Sequence, residues 1–134
     1  MSQENIEAVK RAVAAVNERD VDRYLANCTD DFELHTPAAP IGGAYEGLVA
    51  VRRFFADIQD TSPDFRLDLE RVEAIGADRV LAFLRVSASG RASGIATAEG
   101  RPTTNVYDLV DGKIRRVRVF FDRQEALDAV GLRE

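Results

Sequence analysis

Few side chains in this sequence have the types and spacing to do chemistry. Thr103, Asn105 and Tyr107 stand two residues apart in "TTNVYDL", the spacing that puts alternate side chains of a strand on one face. An amide beside a phenol can hold and polarise a carbonyl or hydroxyl without either group being charged. The ordinary structural role of such a pair is to bond each other, the backbone or a buried water. His35 is the only histidine, and so the one side chain whose ordinary pKa suits proton transfer near neutrality. In "FELHT" it alternates with Leu34 and Thr36, which places it with Glu33 on the outer side of a strand. A bulge before Pro37 would turn it inward.

Other reactive types are sparse. Arg115, Arg116 and Arg118 could grip a phosphate or carboxylate. Their commoner role is on a solvated or dimer-facing side of a sheet, paired to residues such as Glu33 or Asp108. Cys28 is the single cysteine, so no internal disulfide forms, and one Cys with one His cannot make a zinc set. It reads as a small core residue on the apolar stripe of a helix. Gly90, Gly94 and Gly100 lack the strand-Gly-x-Gly-helix context of a phosphate loop. No cofactor or metal is expected.

The elements that must position these groups follow from periodicity. Ile6, Val9, Val13 and Val16 recur at helical spacing, with Ala8, Ala12 and Ala15 widening the stripe. Asp20 is an N-cap for a short second helix with Val21, Tyr24, Leu25 and Cys28 inward. Phe32 to Thr36 is a strand stopped by Pro37, and residues 37 to 46 are a loop. A third helix from Gly47 turns Leu48, Val51, Phe54, Phe55 and Ile58 inward and closes at Thr61-Ser62-Pro63. After it, Phe65, Leu67 and Leu69 alternate, and the apolar phase then slips to Val72 and Ala74. That slip predicts a bulge near Glu70–Arg71. Val80 to Val86 is nearly all apolar, a strand covered on both faces. Ser87 to Gly100 reads as a strand end and hairpin loop, and Thr103 to Val110 as the next strand. Asp111-Gly112 then turns into Ile114 to Phe121. Asp122 and Glu125 form a capping box for a last helix closed by Gly131.

Three helices followed by a long run of strands give an α+β fold: a curved antiparallel sheet wrapped by the N-terminal helices into a cone, with a short C-terminal helix. The 134 residues suit one domain, 1–134. A net charge of −5 argues against a uniformly basic surface, so nucleic acid is not an expected partner. No apolar stretch approaches the roughly 20 residues that cross a bilayer, and the N-terminus carries no secretory signal. Without membrane or signal segments, the expected location is the cytoplasm.

The chain resembles the cone-shaped superfamily of ketosteroid isomerases, SnoaL-like polyketide cyclases and nuclear-transport-factor-like proteins. The resemblance rests on "VKRAVAAVNERDVD", "DDFELHTP", "YEG" leading into "VRRFF", and the ending "NVYDLVDGKIRRVRVFFDRQEALDAVGL". It covers nearly the whole chain, the ending is SnoaL-like, and it implies a cystatin-like α+β barrel. One such fold hosts many functions. The isomerase's aspartate base falls on Thr36, its oxyanion tyrosine on Ala12 and its protonated aspartate on Asn105. A threonine is no base near neutral pH and Ala12 has no donor, so the usual isomerase mechanism is not expected.

The resemblance places Asn105 inside the cone, and the strand period brings Thr103 and Tyr107 with it. The same period lines the interior with Leu34, Thr36, Ala82, Leu84, Val117, Val119 and Phe121, beside Phe55 from the third helix. Two readings follow. In the first, the cone binds a small hydrophobic cyclic or polyketide-like molecule, with cofactor-independent cyclase, isomerase or hydrolase chemistry. Asn105 would orient a carbonyl, Tyr107 would donate a second hydrogen bond, and His35 or a water would move protons. In the second, the chain is a non-catalytic association or ligand-sensing module. Phe83, Val106 and Phe120 share the outer face with Arg85, Arg116 and Arg118, a composition that suits a homodimer interface. Members of the superfamily this chain resembles are commonly dimers, so the resemblance implies a homodimer through that face under either reading.

Overall fold

A computed structural model describes residues 2–36, 44–61, 63–88 and 98–131. The first helix, α1 (Ser2–Glu18), carries the alanine and valine stripe into the core, where Ala8, Val9, Ala12, Val13, Ala15 and Val16 are all buried. Asp20 caps α2 (Val21–Ala26) by accepting from the Arg23 amide at 3.1 Å. Strand β1 (Cys28–His35) follows directly, so Cys28 opens a strand and is not part of the helix as the stripe suggested. Its thiol still reaches back to the Tyr24 carbonyl at 3.3 Å. Residues 44–46, expected as loop, form a short strand β2 (Ala44–Glu46) on the edge of β1, and α3 (Gly47–Thr61) begins immediately after. The expected loop at 37–43 and most of the 87–100 hairpin lie outside the described residues.

The remaining strands are β3 (Arg66–Ile75), β4 (Arg79–Ala88), β5 (Ala98–Val110) and β6 (Lys113–Phe120), before the final helix α4 (Arg123–Ala129). One six-stranded curved sheet runs in the order β2-β1-β6-β5-β4-β3. It is not wholly antiparallel, because β1 pairs with β6 in parallel. Those two strands are far apart in sequence, so no hairpin dictates their relative direction. The expected bulge is present: the register slips between Leu69 and Arg71, leaving Glu70 unpaired and bending β3. Asp111 and Gly112 both take positive φ (51° and 79°), the turn whose twist matches the flanking strands.

Alternate residues of the sheet divide two cores. The inner one gathers Phe32, Leu34, Val80, Ala82, Leu84, Tyr107, Leu109, Ile114 and Val117 against α1 and α3. The outer one is smaller: Leu81 and Val106 are covered by Ala126 and Leu127 of α4. That helix explains why the middle of β4 is apolar on both faces. Asp122 caps it by accepting from the Gln124 and Glu125 amides, and Gly131 (φ 77°) ends it.

Curvature leaves β3 as an exposed edge, and Asn17 clasps it to α1. The Asn17 amide donates to the Leu67 carbonyl and accepts from the Leu67 amide, both at 2.8 Å. Replacing Asn17 with alanine removes both bonds at a half-buried edge, a cost of about 1–3 kcal/mol. Thermal denaturation of Asn17→Ala should show a Tm lower by roughly 4–10 °C. A Tm equal to wild type would show that the clasp contributes nothing.

Candidate functional site

Strand β5 supplies the polar part of the interior. Antiparallel pairing sets Asn105 opposite Ala82 and Val119, Tyr107 opposite Val80 and Val117, and Thr103 opposite Leu84. Leu34 adjoins Val117 from β1. Leu34, Ala82, Leu84, Thr103, Asn105, Tyr107 and Val117 are all buried, and Val119 packs against the same core. Phe55 enters from α3, edge-on to Tyr24 at 5.3 Å between ring centroids, and Tyr24 in turn meets Phe32 at 5.8 Å. Thr36 and Phe121 are half-buried just beyond the ends of β1 and β6. The Arg101 guanidinium lies 3.9 Å over the Phe121 ring, a cation on an aromatic face at that end of the barrel.

Asn105 is 5% exposed and its Nδ2 donates to the Tyr107 hydroxyl at 3.3 Å. Its Oδ1 is buried and has no hydrogen-bond partner among the described residues. An acceptor held this way costs about 1–3 kcal/mol relative to a satisfied one. The Tyr107 oxygen accepts from the amide, which leaves the phenolic proton available to an acceptor. Burial, aided by Cys28 nearby and opposed by the Asn105 hydrogen bond, pushes the Tyr107 pKa up to about 12. Tyr107 is therefore a neutral donor across the physiological range. Tyr24 is also raised well above its ordinary value by burial, with Cys28 and Tyr107 as its electrostatic neighbours. The Cys28 thiol is pushed up to about 12 by burial, with Lys113 acting in the opposite direction. A thiol so held is not a nucleophile at neutral pH.

His35 is not brought to these groups. Its register partner on β6 is Arg118, whereas Leu34 meets the inward Val117, so His35 faces the outer side. There its Nε2 lies 2.7 Å from Oε1 of Glu33, and no bulge at the end of β1 turns it inward. The expected role for His35 as a proton shuttle beside Asn105 and Tyr107 thus meets a geometric obstacle: the sheet stands between them. Arg116 and Arg118 are on the same outer face, with Asp108 accepting from Arg79 (2.9 Å) and Arg116 (2.8 Å). Arg115 pairs with Asp31 at 3.3 Å. Tyr24 is the interior group that sequence reasoning undervalued. Its helical spacing marked it as core, but nothing in the sequence pointed to its approach to Tyr107. Among the described residues no group of three His, Cys, Asp or Glu could hold a metal, and no helix is long and apolar enough to cross a membrane.

The curved sheet and the helices over its concave face make a cone-shaped α+β domain. Residues 9–117 match the SnoaL-like domain, and the chain belongs to that family. Solved structures share the fold. Bal32a, from a soil-derived mobile gene cassette, is 23% identical with a TM-score of 0.77, covering 89% of each chain. A candidate polyketide cyclase from Xanthomonas campestris is 25% identical with a TM-score of 0.72, covering 97% of this chain and 98% of its own. A candidate ketosteroid isomerase from Kribbella flavida is 18% identical with a TM-score of 0.70, covering 89% and 78%. A search of curated proteins finds no match to the chain.

The buried protons at Cys28 and Tyr107 have a measurable consequence. Folding raises both pKa values to about 12, from ordinary values of 9.0 and 10.0. The folded chain therefore holds these protons more tightly than the unfolded chain. This contribution to stability is complete below about pH 9 and is lost as pH rises from there toward 12. Denaturant midpoints measured from pH 7 to 11 should fall above pH 9, and less steeply in Cys28→Ala. A midpoint that stays flat to pH 11 would contradict the burial of both groups.

Proposed function

We propose that the barrel binds a neutral, largely apolar cyclic molecule of ketone or polyketide type, oriented by Asn105 and Tyr107. The observation that carries this reading is the buried Asn105 Oδ1, an unpaired acceptor beside a phenol that stays protonated. Core positions chosen for stability alone are apolar or fully bonded, whereas a recognition site keeps groups whose partner arrives with the ligand. The family and its cyclase- and isomerase-type neighbours support the ligand class.

The chemistry available to the pair is binding, orientation and polarisation. Tyr107 donates to a ligand carbonyl and draws electron density toward its oxygen, while Asn105 Oδ1 accepts from a ligand hydroxyl or N–H. A flexible substrate held by two points in an apolar wall is brought toward one reactive conformation, which is the largest contribution such a site makes to a ring closure. The residues that flank Asn105 and Tyr107 on the inward side of β4, β5 and β6 (Val80, Ala82, Leu84, Thr103, Val117 and Val119) include no carboxylate or imidazole. With Thr36 and Ala12 at the isomerase's base and tyrosine positions, proton movement in any turnover falls to the substrate itself or to water.

Thermal-shift assays of wild type, Asn105→Leu and Tyr107→Phe against cyclic ketones, steroids and aromatic polyketide-like compounds test the reading. A ligand at a hundredfold excess over Kd stabilises the fold by about 2.7 kcal/mol, which gives a clear Tm rise in a domain of this size. The rise should appear in wild type and shrink in both variants. A shift of equal size in all three proteins, or no shift with any compound, would overturn the assignment. Stability alone gives a second check. Tyr107→Phe strands the Asn105 amide and should lower Tm, whereas Asn105→Val with Tyr107→Phe removes the whole polar pair and should recover most of that loss. A double variant less stable than the single one would show that the pair serves the fold rather than a ligand.

A further inference from the structure

The inward set of strand β5 continues one step beyond Thr103. Arg101 is the register partner of Val86, a buried member of the inner core, so its side chain stands in phase with Thr103, Asn105 and Tyr107. At this end of the barrel, where Thr36 and Phe121 sit, the strand leaves the core: Thr103 is buried and Arg101 is exposed. A cation thus follows two neutral polar groups and a threonine along one face of one strand. Four residues of strand separate Arg101 from Asn105, about 13 Å.

The guanidinium is seated without being neutralised. Its central carbon lies 3.9 Å from the centroid of the Phe121 ring, an attraction that uses the ring face and none of the N–H groups. Among the described residues the side chain makes no hydrogen bond and no ion pair. Arg85, on the outer face of the neighbouring strand, shows the contrast: its N–H groups are taken by Glu70 and by the Gly100 carbonyl. Arg101 therefore holds a free N–H edge at the mouth, and that edge can grip a carboxylate with two parallel bonds.

We infer, resting on the roles proposed for Asn105 and Tyr107, that the ligand of the barrel is an acid. Its ring system is held by the amide and the phenol, and its outer end bears a carboxylate taken by Arg101. The body inside the barrel stays neutral, because an ion there would lose its water without a charged partner. At the mouth the carboxylate keeps water on its outer side, so pairing with Arg101 costs little desolvation. The net charge of −5 opposes anions in general, and a cation at the mouth decides whether an acid is admitted.

Titration of fused-ring keto acids, each paired with its own methyl ester, tests the assignment in wild type, Arg101→Gln, Arg85→Gln and Asn105→Leu at neutral pH. Wild type should bind each acid roughly tenfold more tightly than its ester. Arg101→Gln should bring the acid down to the affinity of the ester and leave the ester unchanged. Arg85→Gln should keep the preference, and Asn105→Leu should weaken acid and ester alike. Circular dichroism establishes that each variant is folded. An ester bound as tightly as its acid in wild type, an acid preference that survives in Arg101→Gln, or one lost equally in Arg85→Gln would overturn the carboxylate and leave the interior site standing. Asn105→Leu without effect on either compound, or no binding of any compound to wild type, would overturn the interior site and the acid ligand with it.

Discussion

The molecule depends on one constraint: a bent sheet in which both faces of the central strands must be buried or paired. The bulge at Glu70 bends β3 and so contributes to the concavity that α1 and α3 fill. Asn17 then fastens α1 to the free edge of β3 through both polar groups of Leu67. The convex side has the opposite problem, since Leu81 and Val106 would be left to solvent. The short helix α4, capped by Asp122, covers them. Removing either cover would expose apolar strand surface, so the helices are held by the sheet as much as the sheet by them.

The two-residue period then keeps two kinds of chemistry apart. On β5, Asn105 and Tyr107 face inward while Val106 and Asp108 face outward; on β6, Val117 and Val119 face inward while Arg116 and Arg118 face outward. The interior is neutral, and burial keeps it so by holding protons on Tyr24, Tyr107 and Cys28. The charges of Asp108, Arg116 and Arg118 are put on the other side. A neutral interior favours ligands that bind by shape and by one or two directional hydrogen bonds, because desolvating an ion there would cost more than such bonds return.

Membership of the SnoaL-like family settles the fold and leaves the reaction to the individual site. Asn105 brings hydrogen-bonding capacity to the interior in an uncharged form, and neither Ala12 nor Thr36 carries a carboxylate or a phenol.

Local pattern alone determined much of this protein. Helical stripes placed α1 and α3, the phase slip after Leu69 located the bulge, Asp111-Gly112 set the hairpin, and alternation sorted inward from outward residues, His35 among the latter. These features are legible because each is decided within a few residues, by backbone sterics or side-chain period. What required the tertiary structure was everything decided between distant segments. The parallel pairing of β1 with β6, the strand at Ala44–Glu46 and the start of β1 at Cys28 all depend on a neighbour far away in sequence. So do the approach of Tyr24 to Tyr107 and the helix over Val106. The unpaired oxygen of Asn105 and the free edge of Arg101 belong to the same class, for a hydrogen bond left unmade depends on every group that could have reached it. No local pattern records that.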